Sequence, residues 1–579
     1  MRTLLPYLKP LRKECIISPL FKLLEALLEL FVPLIMAAII DKGILANGGA
    51  GDTGYVLRMG LLLVGLGLLG FACSVTAQFF AAKAAVGFTA TVKSVLFEHI
   101  QKLSHTELDQ IGTPTLINRM TTDMNQVQTG VNMTLRLLLR SPFVVLGATV
   151  MAFTVDAKTA LIFLALLPLL TLVVAGIMAL TLPRHKQVQS QLDKVLLRTR
   201  ENLTGVRVVR AFNKQESEQA AYEEESGALF ALQQGVGRLS SLMNPLTYVL
   251  VNGALIVLLW SGAWQVQGGI LTQGAVVALV NYLSQILVEL IKLANLIITI
   301  TKALASAGRI ETVLKQESSM QDPASPTAAS ADAAECVRFN NVSTRYAGAG
   351  EESLTGISFT ALRGQTIGVI GGTGSGKSTL VSLIPRFYDV TAGQVLVDGV
   401  DVREQSMEAL RDKEAVVPRK AMLFKGTIRD NLRWGKQDAT DEELWKALET
   451  AQGAEVVRGK PGQLDEMIEQ GGRNLSGGRR QRLTIARALV RNPEILILDD
   501  SASALDYATD AALRKALREM DSPATVFIVS QRASSIRFAD QILVLDDGEL
   551  AGLGTHDQLL ESCPVYQEIY YSQYPKEAV

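Results

Sequence analysis

Eight consecutive residues, Gly371-Gly372-Thr373-Gly374-Ser375-Gly376-Lys377-Ser378, have the types and spacing needed to hold a chain of phosphates. Glycines let successive backbone N–H groups wrap phosphate oxygens, Lys377 adds a point charge, and the Ser378 hydroxyl can ligate Mg2+. Thr379 continues the chain into a helix, whose N-terminal dipole favours an anion. Further on, the apolar run Ile495-Leu496-Ile497-Leu498 ends in Asp499-Asp500. A carboxylate at the end of such a run can reach the metal shell directly or through water, which makes Asp499 a candidate metal residue beside Ser378. Between these points, Asn474-Leu475-Ser476-Gly477-Gly478 opens another helix.

The surrounding elements suit that chemistry. Thr366 to Ile370 reads as a short strand running into the glycine loop, and Thr379 to Ile384 reads as helix, the strand–loop–helix context the motif requires. From Cys336 onward, short β-branched runs alternate with helical patterns, as in a mixed α/β domain. The stretch Gln316 to Ala334 is rich in Ala, Ser, Asp and Pro, and reads as a linker unable to bury enough surface to fold. The expected division is 1–315, 316–334 and 335–579.

The first part is of another kind. The chain has 579 residues, of which 48% are hydrophobic. Mean hydropathy is +0.23, high for a water-soluble protein. Six apolar stretches could cross a bilayer: about 15–40, 56–82, 137–154, 159–182, 245–265 and 272–299. The connections after the second and fourth are long and rich in cations, from Lys93, Lys102 and Arg119 to Arg198, Arg207 and Arg210. By the positive-inside rule these connections and both termini lie in the cytoplasm. Loops of that length are expected to be helical extensions. No small-residue cleavage site follows the first apolar stretch, so that span is expected to serve as an uncleaved insertion signal. Net charge is −1, which gives no reason to expect nucleic acid as a partner. The four cysteines stand far apart, fitting neither a disulfide framework nor a zinc site.

Taken in order, the glycine loop, the helix-opening Leu475-Ser476-Gly477-Gly478-Arg479, Asp499-Asp500 and Val529-Ser530-Gln531-Arg532 resemble the nucleotide-binding domain of an ABC transporter. The six spans resemble an ABC exporter's all-helical transmembrane domain. Ile111 to Asp123 and Glu201 to Phe212 resemble its two coupling-helix regions. The resemblance implies a half-size exporter of the multidrug or lipid type in a cell (inner or plasma) membrane, binding ATP with Mg2+. It also assigns roles. Tyr346 matches the aromatic that stacks on adenine, and Leu475 to Arg479 matches the signature acting in trans on the other subunit's ATP. In this chain Arg479 replaces the signature's usual glutamine.

Three further departures fall in the chain's own site. Asp500 stands where the family has the glutamate that polarises water, Gln531 replaces the switch histidine, and Arg419 in Val-Val-Pro-Arg-Lys replaces the Q-loop glutamine. The resemblance therefore implies a site that binds ATP and hydrolyses it poorly. The expected setting is a heterodimer with a second half-transporter, moving a hydrophobic or amphipathic compound. A slow homodimer and an ATP-binding regulatory or receptor module are the alternatives. In the spans, Glu25 and Glu29 share one helix face and Glu289 lies in the sixth. Either they line a substrate path favouring cationic amphiphiles, or they pair with Lys22, Arg140 and Lys292.

Overall fold

The structure is a computed structural model that describes residues 3–45, 51–328, 334–520 and 524–574. It divides into two compact units, one formed by 1–99 with 114–315, the other by 100–113 with 316–579.

The first unit is helical. Among the described residues, six helical stretches are long and apolar enough to cross a membrane: Leu5–Ile44, Thr53–Lys102, Thr113–Val155, Ala157–Thr204, Gln215–Gln267 and Gln273–Leu314. The helix Thr53–Lys102 has 50 residues. At the helical rise that is roughly 75 Å, more than twice the hydrocarbon thickness of a bilayer. The long polar connections are thus continuations of the spans. Along this helix Ala77, Ala81, Ala84 and Phe88 are buried, while Leu57, Leu61, Leu68 and Phe71 are exposed. Small residues bring neighbouring backbones close, and the large apolar side chains suit acyl chains. Gly274 allows one such approach, since a Cβ there would lie 2.3 Å from the Ala37 carbonyl oxygen. Its N–H donates to Asp41 Oδ1 at 2.8 Å. Tyr282, wholly buried, donates to the Leu30 carbonyl at 2.7 Å.

The membrane carboxylates are paired. Lys22 Nζ lies 2.6 Å from Glu25 Oε2. Arg140 reaches Glu29 Oε2 at 2.6 Å with Nη2 and Glu289 with Nη1. Lys292 and Ser141 also donate to Glu289, at 2.7 and 2.8 Å. Three cations thus face three carboxylates, and their formal charges cancel.

The second unit begins far upstream of its main body. The short helix His105–Ile111 packs there: His105 stacks on Phe387 with ring centroids 4.7 Å apart, and Tyr388 donates to Asp109 Oδ2 at 2.6 Å. The packed helix therefore begins at His105, ahead of the expected first coupling region, 111–123. Only that region's first three residues group with this unit, because the aromatic contacts that anchor the helix precede Gly112. The stretch 316–328 is not a free linker either. Met320 is buried, and Asp322 Oδ1 accepts from the Met407 N–H at 2.8 Å. The remaining expected linker residues, 329–333, lie outside the described residues.

Twelve strands are found among the described residues. The first six are β1 (Glu335–Thr344), β2 (Leu354–Leu362), β3 (Thr366–Gly371), β4 (Ala392–Val397), β5 (Val400–Asp401) and β6 (Glu414–Val417). They are followed by β7 (Gly426–Thr427), β8 (Met467–Ile468), β9 (Ile495–Asp499), β10 (Thr525–Val529), β11 (Gln541–Asp546) and β12 (Glu549–Gly554). An antiparallel sheet has the order β2-β1-β4-β5, and a larger sheet has the order β12-β11-β3-β10-β9-β6. In the larger sheet only β12 is antiparallel to its neighbour. Strands β3, β9 and β10 are buried almost throughout, as parallel strands covered on both faces must be. One core holds Phe339, Phe359, Ile497 and Phe527; another holds Leu483, Leu489, Leu496 and Ile528.

Glu414 opens β6 and is buried, with neither carboxylate oxygen hydrogen-bonded among the described residues. Burial pushes its carboxyl up to about 8, against the opposing pull of Arg411 and Arg491. The folded state therefore holds a proton that the unfolded chain releases near the ordinary carboxyl value. Stability must fall as pH rises through that window, from about 4.5 to about 8. Glu414→Gln should raise the thermal midpoint of the detergent-solubilised protein at pH 8 and leave it nearly unchanged at pH 5. An unaltered pH slope in a thermal-shift series would contradict this account.

Candidate functional site

Register brings the site together. Val369 of β3 pairs with Val529 of β10, Asp499 of β9 pairs with the same Val529, and Leu498 pairs with Val417 of β6. The strands run parallel, so the residues just beyond these pairs emerge at one carboxyl edge, where open α/β sheets form their ligand crevice. Loop 371–378, Ser530-Gln531, Asp499-Asp500 and Arg419 all emerge there. Arg419 lies two residues past Val417 and Asp500 two past Leu498, which makes them neighbours. A cavity of about 680 Å³ opens at this edge, lined among others by Tyr346, Lys377, Ser378, Arg419, Asp500 and Gln531.

The glycine loop fits a polyanion. Gly374 and Gly376 both take φ +89°, a left-handed conformation that disfavours any side chain. A Cβ on Gly376 would lie 2.6 Å from Leu354 Cδ2, whereas Gly372 and Gly374 have nothing within 4 Å and face open space. Gly371 and Ser375 are buried, and Thr373 is exposed. Lys377 is buried; its ammonium donates to the Gly371 carbonyl at 3.0 Å, to the Gly372 carbonyl, and to Ser375 Oγ at 3.2 Å. Burial pulls it below the ordinary lysine value. The Ser378 hydroxyl donates to Asp499 Oδ1 at 2.8 Å, so two oxygen ligands of the kind a hard cation prefers stand side by side. Burial pushes the Asp499 carboxyl up, although the Ser378 hydrogen bond opposes this. These residues could hold a nucleoside triphosphate with Mg2+. Tyr346 is partly exposed, edge-on to Tyr388 at 5.0 Å, and its hydroxyl lies 3.1 Å from Thr379 Oγ1.

Asp500 adopts φ +47°, with its N–H donating to the Val529 carbonyl at 3.0 Å. Its carboxylate Oδ2 lies 3.2 Å from Arg419 Nε. Gln531 is exposed, and its backbone carbonyl accepts from Gln573 Nε2 at 2.8 Å. His556 is 2.8 Å from the Tyr566 hydroxyl and does not line the cavity. Leu475 is buried, whereas Ser476, Gly477 and Arg479 are exposed, outside this cavity's lining. Ser476 caps the 14-residue helix Gly477–Val490 without a side-chain bond to it. Gly478 lies close to the Ala504 carbonyl oxygen, 3.0 Å from where a Cβ would stand. In the helical unit, Glu25, Glu29 and Glu289 are held by Lys22, Arg140 and Lys292 as described above. The Arg419–Asp500 contact had no signal in residue spacing, and only strand register could have foretold it.

Residues 15–290 match the ABC transporter transmembrane region, and residues 354–503 match the ABC transporter domain. An uncharacterized ABC transporter ATP-binding protein of Mycobacterium tuberculosis (strain H37Rv) is 36% identical over 98% of this chain and 97% of its own. A Bacillus subtilis protein with the same description is 35% identical over 100% and 99%. Another B. subtilis protein, whose name assigns it to multidrug export as an ATP-binding/permease protein, is 31% identical over 99% of each chain. The solved structure of a bacterial Atm1-family ABC exporter with ATP bound superposes with a TM-score of 0.79 at 26% identity, covering 98% of this chain and 99% of that one. The chain belongs to the ABC transporter family, as a half-size exporter with six membrane-spanning helices in the inner membrane and a cytoplasmic ATPase domain.

Proposed function

We propose that this chain is the weakly hydrolysing subunit of a heterodimeric exporter, with 1–315 as transmembrane domain, 316–334 as connection and 335–579 as nucleotide-binding domain. The observation that carries the reading is the ion pair between Arg419 and Asp500 at the carboxyl edge of the sheet. A general base needs a carboxylate within reach of the attacking water. An aspartate falls short of a glutamate's reach by roughly 1 Å, a displacement that can cost about 10²-fold in rate. Arg419 has no acceptor atom and cannot ligate a metal, and Gln531 is an amide that does not ionise.

Binding needs other groups, and these are intact. The loop glycines and Lys377 would hold the β- and γ-phosphates, Tyr346 would receive the adenine, and Ser378 with Asp499 would hold Mg2+. When bound, Mg2+ supplies charge neutralisation to the phosphates. The signature Leu475 to Arg479, with Ser476, Gly477 and Arg479 exposed and the Ser476 hydroxyl unspent, serves the partner's ATP. Two bound nucleotides close the dimer, and hydrolysis at the partner's site resets it. The substrate is a hydrophobic or amphipathic small molecule, a reading supported by the name of the B. subtilis multidrug-export relative.

Purified alone, the full-length chain should hydrolyse ATP at no more than about a hundredth of the rate reached with its partner half-transporter. Robust hydrolysis by the single chain, lost in Asp500→Asn, would instead establish a homodimeric enzyme. In the complex, Ser476→Arg should lower turnover by about 10²-fold, because it removes a donor to the developing charge on the partner's phosphate. Lys377→Ala should do less damage; the reverse order in steady-state ATPase assays would mean the sites are assigned the wrong way round.

The membrane carboxylates favour a structural role over substrate choice. Arg140 engages Glu29 and Glu289 together, so losing either carboxylate leaves a buried charge under-compensated. Glu289→Gln should therefore lower folded yield and reduce transport of cationic and neutral compounds alike. A loss confined to cationic compounds in vesicle uptake assays would assign the patch to the substrate path.

A further inference from the structure

The silence of the nucleotide site has a mechanism beyond a shortened carboxylate. Asp500 is fixed from several sides. Its N–H is bonded to the Val529 carbonyl at 3.0 Å, its carbonyl accepts from Ser503 Oγ at 2.7 Å, and its backbone sits at φ +47°. Its side chain is only 12% exposed, whereas that of Arg419, 3.2 Å away, is 66% exposed. The carboxylate is therefore the fixed partner, and the cation reaches in to it from the open side of the crevice.

We infer that Arg419 is a positioning residue that latches the Asp500 carboxylate in an ion pair, so that hydrolytic silence belongs to the pair and to neither residue alone. The inference rests on the reading of this site as weakly hydrolysing. A carboxylate turned onto a guanidinium is turned away from an attacking water, and arginine, with five donors and no acceptor, offers no oxygen in its place. In open water such a pair is worth little, but it strengthens when water is excluded from the crevice, which is when a base would be needed. A glutamate at 500 alone would still meet the guanidinium, because an exposed arginine side chain can follow a carboxylate displaced by one methylene. Removing the guanidinium alone would free a carboxylate that is still too short. Hydrolysis returns only when both change.

The test uses full-length assemblies isolated through an affinity tag on this chain, with whatever second subunit they contain. They are loaded with 8-azido-[α-32P]ATP, allowed a single turnover and photolysed, and the nucleotide attached to this chain is resolved as triphosphate or diphosphate. Labelling on ice before turnover reports that each variant is folded and binds. Wild type should retain triphosphate. Asp500→Glu and Arg419→Gln should each speed conversion by less than about threefold, and the double variant should exceed the product of the two by about tenfold, a coupling within the range for contacting residues. Arg419→Lys keeps the cation, so Arg419→Lys with Asp500→Glu should stay as slow as Asp500→Glu alone. Conversion in the double variant equal to the product of the singles would overturn the latch while leaving the weak-site reading intact. Rapid diphosphate formation by wild type would overturn both.

Discussion

Parallel register is the constraint on which the nucleotide site depends. Val417, Leu498 and Val529 lie on neighbouring strands that all point the same way. Whatever follows them is delivered to one edge, regardless of its distance in sequence. The glycine loop arrives there from β3 and Lys377 is folded back onto its carbonyls, so the ammonium stands at the loop's centre. A slip of one residue in β6 would send Arg419 to the opposite face and dissolve its contact with Asp500. The antiparallel sheet and the helices bury the two faces of this sheet. They matter to the site because they leave the register no alternative.

In the helical unit the governing constraint is charge neutrality. A lone carboxylate in a bilayer is costly, and so is a lone guanidinium. Arg140 meets both conditions by accepting one carboxylate from the first span and one from the last. The same guanidinium thereby links three helices that the sequence keeps far apart. Buried ion pairs add little net stability over well-packed apolar groups, but a broken pair is heavily penalised. The network joins the first, third and last spans through one guanidinium.

Legibility in the sequence followed chemistry. Glycines, a lysine and a hydroxyl at set intervals marked residues 371–378 as a loop between a strand and a helix, and the structure has that strand–loop–helix. The spans were readable because a bilayer demands length and apolarity, although their ends were not. Helix Thr53–Lys102 runs well past the apolar stretch, since nothing in hydropathy marks where a helix stops in water. Partnerships were hidden. Pairing with Lys292 three residues on was one of two readings of Glu289, beside a substrate path; the pair forms, but which carboxylate Arg140 would meet could not be settled without tertiary structure. The burial of Glu414 was invisible because β6 is too short for its periodicity to declare a face. The packed helix His105–Ile111 precedes the expected coupling region because its anchor is an aromatic stack, and Phe387 lies hundreds of residues downstream.

That stack has a consequence for how the protein can be divided. The ATPase unit includes residues 100–113, held by His105 on Phe387, by Asp109 on Tyr388 and by Glu107 accepting from the Ser319 N–H. A gene fragment starting after the last span would encode the whole glycine loop with Lys377, yet leave an aromatic pair and a backbone N–H stripped of their cover. Such a fragment would carry a raw, adhesive facet where the whole chain has a finished one. The catalytic half is therefore separable on paper but not in cloning, and the boundary between the two halves cannot be drawn with a single cut.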